Sequence, residues 1–394
     1  MKITAITAYA IKSGTRYELA GQARAAGQLP SSDYFRFEPY PQLYSQHTEA
    51  VIVRVETDEG ITGWGEAQAP VGPEVVQTII ARVLGPAVLG LDPLETGLRY
   101  TQMYETMRVR GQFGGYQVDA MAAIDTALWD IRGKATGQPL STLLGGRYRQ
   151  RLPAYVSGLR SKLLEGRVEE AVGWIKKGMG VKTFLGFGVA TDAQEVAAIR
   201  AAVGSDARLY VDAIWRYSVP EAVRLARALE QHGISFFEAP LAPEDVEGHA
   251  RLAREVDVAV AVGEPVRTRY GFLPWLRHEA LDVCQPDLMR NGVTETWGIA
   301  MLADTFNIPV ALHTGASTVV GIAATWQVAA AVPNFLVQEF QPVMFETFRP
   351  WLTTPLDVAE GELVVPTGPG LGIEVDEERF RRDVASEVRI DTMS

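Results

Sequence analysis

Between Leu152 and Phe340 the chain repeats one theme, a short apolar run followed by a helical stretch. The runs read LPAYV, VKTFLG, RLYVD, ISFFE, VAVAVGE, LDVCQPD, IPVALH and FLVQEF, and segments such as VPEAVRLARALEQHG separate them. A helix between two strands carries the chain back, so that the second strand lies parallel to the first. About eight such strands favour a closed barrel over an open sheet. The expected fold class is therefore α/β, a TIM-like barrel, and 394 residues leave room for a second domain attached to it.

The runs end on ionisable residues at a regular interval. Asp212, Glu238 and Glu264 are spaced by 26 and 26 residues, and so are Asp287, His313 and Glu339. One strand, one helix and two loops make up such a step, so the six side chains converge at the C-terminal ends of neighbouring strands. Singly, an acid behind a strand reads as a helix N-cap or a solvated loop residue; six in matching positions do not. The stretch SFFEAP poses the question sharply. Its aromatic pair brings Glu238 to the mouth of a hydrophobic core, where an unpartnered charge is costly. Three convergent carboxylates cannot all stay ionised without a cation. All-oxygen ligation with room for water and substrate favours Mg²⁺ on Asp212, Glu238 and Glu264, and the lack of Cys or His among them argues against zinc. On the other half of the ring, Asp287 beside His313 fixes the imidazole tautomer and raises its basicity.

Acids outnumber bases, 48 Asp and Glu against 37 Lys and Arg, for a formal charge of −11. That balance argues against nucleic acid as a partner. The one cysteine, Cys284, excludes an intramolecular disulfide, fits a reducing, cytoplasmic compartment and reads as a buried core residue. The start, MKITAITAYAIKSG, alternates like a strand and lacks the apolar block of a signal peptide. Thr314 to Gln338 carries no charge, but its Gly315, Ser317, Gln327 and Pro333 point to a helix buried in protein, not to a membrane span.

The first third reads as α+β. EAVIVRVETDEGITGWGEA predicts two strands joined by TDEG, and AMAAIDTALWDIRGKATG predicts a helix stopped by Gly137 and Pro139. The tail GELVVPTGPGLGIEVD is expected to pack back on this domain. Residues 13–48 form a long, aperiodic segment of the kind that carries function. It holds His47, which is either structural or in contact with substrate. His232 reads as a helix C-cap, and His249 and His278 read as surface positions. GQFGG and LLGG lack the lysine and spacing of a P-loop and read as turns.

These residues resemble the enolase superfamily, specifically the mandelate racemase and muconate lactonizing enzyme family. The resemblance rests on AAIDTALWDIRGKATGQPLSTLLGG, VDA, FEAPL, VGEP, QPDLMRNG, ALHT and GPGLGIEVD, and it spans nearly the whole chain. It implies an α+β capping domain from residues 1–130 and 356–394 over a (β/α)7β barrel from residues 131–355. It implies Mg²⁺ on Asp212, Glu238 and Glu264, an Asp287–His313 dyad, and Glu339 holding the substrate carboxylate. It also implies a homo-oligomer, often an octamer. The shared step is removal of the proton α to a carboxylate, giving an ene-diolate that the cation stabilises.

Two departures from the family pattern bear on the reaction. The family's Lys-x-Lys on the second barrel strand is here VKTFLGFG, so Lys182 is kept and Phe184 takes the second place. Two residues after Asp212, where many relatives carry Asn or His, stands Ile214. Residues two apart share a strand face, and Phe184 with Ile214 is expected to form an apolar wall opposite His313. Epimerisation needs a base on each face of the α-carbon, whereas syn dehydration needs only His313, with Lys182 orienting the carboxylate or acting as a second acid. Dehydration of a sugar acid is therefore the first expectation. Sugar-lactone cycloisomerisation follows, then racemisation or epimerisation, and a barrel that only binds metal and an acid sugar. Substrate contacts are expected from Arg16, Arg24, Arg36, Tyr17, Tyr34, Tyr40 and Tyr44 in the long segment, and from Arg110.

Overall fold

A computed structural model describes residues 1–14, 26–28, 33–36, 40 and 42–392. Strands Arg151–Ser157, Gly180–Phe184, Leu209–Asp212, Phe237–Glu238, Val260–Val262 and Val283–Cys284 pair in parallel and in chain order. Gln338–Phe340 pairs in parallel with Arg151–Ser157 and brings the sheet back to its start. The gap between Cys284 and Phe335 is spanned by single bridges through Val310. The run IPVALH thus contributes isolated bridges at Val310 and His313 and no continuous strand. Its Pro309 has no N–H to give to a ladder. Seven helices, from Leu164–Lys176 to Val319–Ala331, connect the eight positions among the described residues. The fold is the expected (β/α)7β barrel.

The barrel interior is layered. Tyr155, Tyr210, Phe236, Ala261, Val283, Ala311 and Val337 form an apolar floor, with Tyr210 4.6 Å from both Tyr155 and Phe236 between ring centroids. Two residues further along most of these strands stand Ser157, Asp212, Glu238, Gln285, His313 and Glu339. Side chains of period two share a face, so the floor directly supports a polar layer at the barrel mouth.

The capping domain is a four-stranded antiparallel sheet in the order Val384–Asp391, Ile3–Ser13, Thr48–Thr57, Thr62–Ala67. Helix Gly115–Thr136 lies on it and ends at Gly137, which takes φ 66°. The approach is close because of two glycines. A Cβ at Gly63 would come within 2.1 Å of Ala127 O, and one at Gly65 within 2.0 Å of Ala123 O. The tail touches both domains, since Leu371 N donates to Asp130 of the cap helix while the residues before it lie on the barrel. Glu362–Val364 pairs antiparallel with the first barrel strand, and only the later Val384–Asp391 joins the cap sheet. The segment 13–48 is not wholly a loop, since Tyr34–Arg36 and Leu43–Ser45 pair as a hairpin.

Helix Val319–Ala331 is buried throughout, as expected of the uncharged segment. No helix among the described residues is long and apolar enough to cross a membrane. Cys284 is buried, and burial pushes its thiol pKa up. His278 is exposed, but His249 is not the surface residue its polarity suggested. Its Nδ1 lies 2.7 Å from Asp245 O, its ring sits between Trp215 and Trp275, and its Nε2 is buried without a hydrogen-bond partner among the described residues.

Candidate active site

The strand ends surround a cavity of about 220 Å³ lined by Lys182, Phe184, Asp212, Ile214, Glu264, His313 and Glu339 from the barrel and by Tyr44 and His47 from the cap. Lys182 lies buried among its acids. The ammonium Nζ lies 2.7 Å from Glu238 Oε2, 2.9 Å from Glu339 Oε1 and 3.4 Å from Asp212 Oδ2. Burial alone lowers its pKa, but Glu238 and Glu339 outweigh that and hold it well above the usual lysine range. Lys182 is therefore a fixed cation.

His313 is held from both sides. Nδ1 is 2.7 Å from Asp287 Oδ2, and Nε2 is 2.9 Å from Glu264 Oε2 and 3.7 Å from Glu339 Oε2. Burial lowers the imidazole pKa, yet Glu339, Asp287 and Glu264 together raise it well above its ordinary value. Asp287 has two tasks. Its Oδ1 accepts from Met289 N at the start of helix Leu288–Thr305, while Oδ2 orients the imidazole. The N-cap that any single strand-end acid suggests is real here and coexists with the dyad.

Five acids, Asp212, Glu238, Glu264, Asp287 and Glu339, thus face Lys182, His313 and Arg290, an anionic surplus inside the barrel mouth. Burial and then repulsion from Glu238 push Asp212 well above the carboxylate range, and burial also raises Glu238. For Glu264, burial pulls upward, but His313 and the Trp215 indole outweigh it and hold the carboxyl well below. Glu238 Oε1 is buried without a hydrogen-bond partner among the described residues. An orphaned carboxylate oxygen amid surplus negative charge, with only oxygen donors on the three acids, fits a hard divalent cation. The ligand atoms that lie within 4.8 Å of one another come from Glu238, Glu264 and His313; Asp212, the third expected ligand, is not in that group and is joined to Glu238 through the Lys182 ammonium. His313 Nε2 faces Glu264 at hydrogen-bond distance, the geometry of a proton donor.

The walls carry the two departures. Phe184 is buried beside Gly158, where a Cβ would come within 2.5 Å of the Phe184 ring, so glycine makes space for the aromatic side chain. Ile214 and Trp215 stand in the left-handed region at φ 46° and 59°. That conformation costs on the order of 1 kcal/mol or more for a residue with a Cβ.

Several expected substrate contacts lie elsewhere. Arg16, Tyr17 and Arg24 fall outside the described residues. Arg36 and Arg110 are exposed and absent from the cavity lining. Tyr34 donates to Glu49, and Tyr40 donates to Leu185 O, because each hydroxyl is drawn to an acceptor in the wall. The structure adds residues that the register did not reveal. Gln285 Nε2 donates to Glu238 Oε2 at 2.9 Å. Arg290, one helical turn after Asp287, grips Gln68 of the cap, and both line the cavity. The period of two that links Gln285 to Asp287 was available in the sequence; nothing local pointed to Gln68.

Comparison with known proteins agrees with this architecture. Residues 42–145 match the N-terminal domain of mandelate racemase / muconate lactonizing enzyme, and residues 161–379 match the enolase C-terminal domain-like family. The D-galactarolactone cycloisomerase of Agrobacterium fabrum is 35% identical over 353 residues, covering 86% of this chain and 91% of that protein. The arabinonate dehydratase of Saccharolobus solfataricus is 32% identical over 342 residues, covering 83% and 88%. A solved enolase-superfamily structure from Agrobacterium tumefaciens superposes with a TM-score of 0.93 at 30% identity, covering 99% of each chain. With the barrel, the cap and the matched motifs all in agreement, the chain is an enzyme of the mandelate racemase and muconate lactonizing enzyme family within the enolase superfamily.

Proposed function

We propose that the protein removes the proton α to the carboxylate of a sugar acid and expels the β-hydroxyl, with Mg²⁺ held by Asp212, Glu238 and Glu264. The observation that carries this reading is the Asp287–His313 dyad set beside a cluster of under-compensated carboxylates on one cavity. With Nδ1 bound to Asp287, Nε2 is the atom that would accept the α-proton once Glu264 is engaged by a cation and Nε2 no longer donates to it. A bound Mg²⁺ supplies compensation for the negative charge that develops on the substrate oxygen. The protonated Nε2 then gives its proton to the leaving oxygen on the same face. Cα–H and Cβ–O break, Cα=Cβ forms, and one water leaves; an α-hydroxy acid is left as an enol that tautomerises to the keto acid. Lys182 orients the carboxylate through its positive charge, and Glu339, 2.9 Å from the ammonium, fixes that group in place. Phe184 and Ile214 put no proton donor on their part of the wall, which weighs against epimerisation.

A second reading is favoured by the 35%-identical cycloisomerase. If the β-oxygen belongs to a lactone ring, the same bonds break, the ring opens and no mass is lost. Incubating the protein and Mg²⁺ with aldonic acids, aldaric acids and their lactones in D₂O separates the cases. Loss of one water from one compound supports dehydration, and a mass-neutral opened product supports cycloisomerisation. α-Deuteration with inverted configuration and no other change overturns both, and complete inertness overturns the proton-abstraction reading itself. The reading also takes the protein to be cytoplasmic, in keeping with its one buried cysteine. It further takes it to be a homo-oligomer, an octamer on the family pattern. Exposed Val109 and Phe113 on the cap support that assembly, and light scattering tests it.

A further inference from the structure

Resting on the metal reading above, we infer that Trp215 is the positioning residue for Glu264, and that it sets how tightly the site holds Mg²⁺. The indole Nε1 donates to Glu264 Oε1 at 2.6 Å, while Glu264 Oε2 faces His313. One oxygen is thereby held from behind and the other is directed toward the reacting side. The preceding residue acts on the neighbouring acid, since Ile214 N donates to Asp212 Oδ1 at 2.9 Å. Two consecutive residues of one turn therefore align two acids from different strands.

The turn is built for this placement. Trp215 N donates to Ala239 O at 2.7 Å, which ties the turn to the Glu238 strand end. The indole is seated edge-on against His249, at 6.0 Å between centroids, and His249 in turn packs against Trp275 at 5.0 Å. Both Ile214 and Trp215 have positive φ, where glycine would suit the backbone. A β-branched residue and an indole stand there instead, so side-chain function accounts for the choice better than backbone ease does. His249 finds its use in the same arrangement, as the buried seat of the indole.

Hydrogen bonds to a metal-binding carboxylate fix its orientation, and their loss typically weakens metal affinity by about 10- to 100-fold. Calorimetric titration of Mg²⁺ alone into wild type, Trp215→Phe, Glu264→Gln and the double variant tests the inference. Trp215→Phe should weaken affinity by about 10- to 100-fold, Trp215→His should recover part of it through its ring N–H, and Trp215→Phe should add nothing to Glu264→Gln. Wild-type affinity in Trp215→Phe, or an equal further loss in the Glu264→Gln background, overturns the inference. If Trp215→Phe does not fold, fluorine NMR of fluorotryptophan-labelled protein decides. One resonance should shift on adding Mg²⁺ and also in Glu264→Gln, and a complete lack of response to Mg²⁺ counts against it. Unchanged Mg²⁺ affinity in Glu264→Gln would instead sink the metal reading, so the two failures are distinguishable.

Discussion

The acids at the cap–barrel seam and Asp212, Glu238 and Glu339 at the barrel mouth are all buried but are treated differently. At the seam, Glu66 accepts from the amides of Thr318 and Gly321 and caps helix Val319–Ala331. Asp125 accepts from the Thr294 amide and hydroxyl, and Asp130 accepts from Trp64 N, Leu371 N and Lys134. Each seam carboxylate meets donors fixed by the backbone or by a neighbouring residue. At the mouth, burial and then Glu238 raise the pKa of Asp212, burial and then Glu339 act upward on Glu238, and Glu238 keeps a buried oxygen without a partner among the described residues. Acids that the fold has satisfied hold domains together. Acids left crowded around a cavity are available for a cation and for chemistry.

The sharpest way to break this comparison is to remove the base. His313→Asn should slow α-proton exchange with D₂O by about 10²–10⁴-fold, followed by NMR on a substrate found in the library, while the melting temperature changes little. A comparable loss from a seam variant of equal stability would erase the distinction.

The next effect is on pH dependence. Burial pushes Glu66 from its ordinary 4.5 up to about 7 despite the bonds from Thr318 and Gly321. The folded state therefore holds this proton more tightly than the unfolded state. Its contribution is fully present below about pH 4.5 and is lost as pH rises to about 7, a swing of at most roughly 3 kcal/mol. Glu66→Gln stays neutral, so urea titrations across that window should show a flatter stability profile than wild type. An unchanged slope would mean that Glu66 ionises as an exposed acid does.

A smaller loss is expected from Asp125→Asn, which replaces one of the two oxygens that accept from the Thr294 amide and hydroxyl by an NH2 donor. Unfolding free energy should fall by about 1–3 kcal/mol, and proton exchange per folded molecule should stay the same. A changed exchange rate would couple the seam to the chemistry.

The sequence made the barrel and its polar ring legible for one reason. A unit of fixed length places Asp212, Glu238 and Glu264, and again Asp287, His313 and Glu339, at equal steps, and a periodic signal survives local irregularity. Seam residues were visible as a motif around Asp125 and Asp130, although their partners Thr294 and Leu371 lie far away in the chain. What stayed hidden is non-local or aperiodic. Gln68 reaches the site from the other domain, and Trp215 acts from a turn whose strained backbone follows no repeat. His249 was misplaced because polarity alone says surface, and only the two flanking tryptophans make burial favourable. The tail divides between two sheets because Glu362–Val364 finds an open edge on the first barrel strand before the chain reaches the cap.

The central claim is most directly tested by calorimetric titration of Mg²⁺ into wild type, Asp212→Asn, Glu238→Gln and Asp125→Asn. The account predicts saturable binding in wild type and in the seam variant, and its loss in both mouth variants. Undiminished binding by Asp212→Asn and Glu238→Gln, or its loss only in Asp125→Asn, would contradict it.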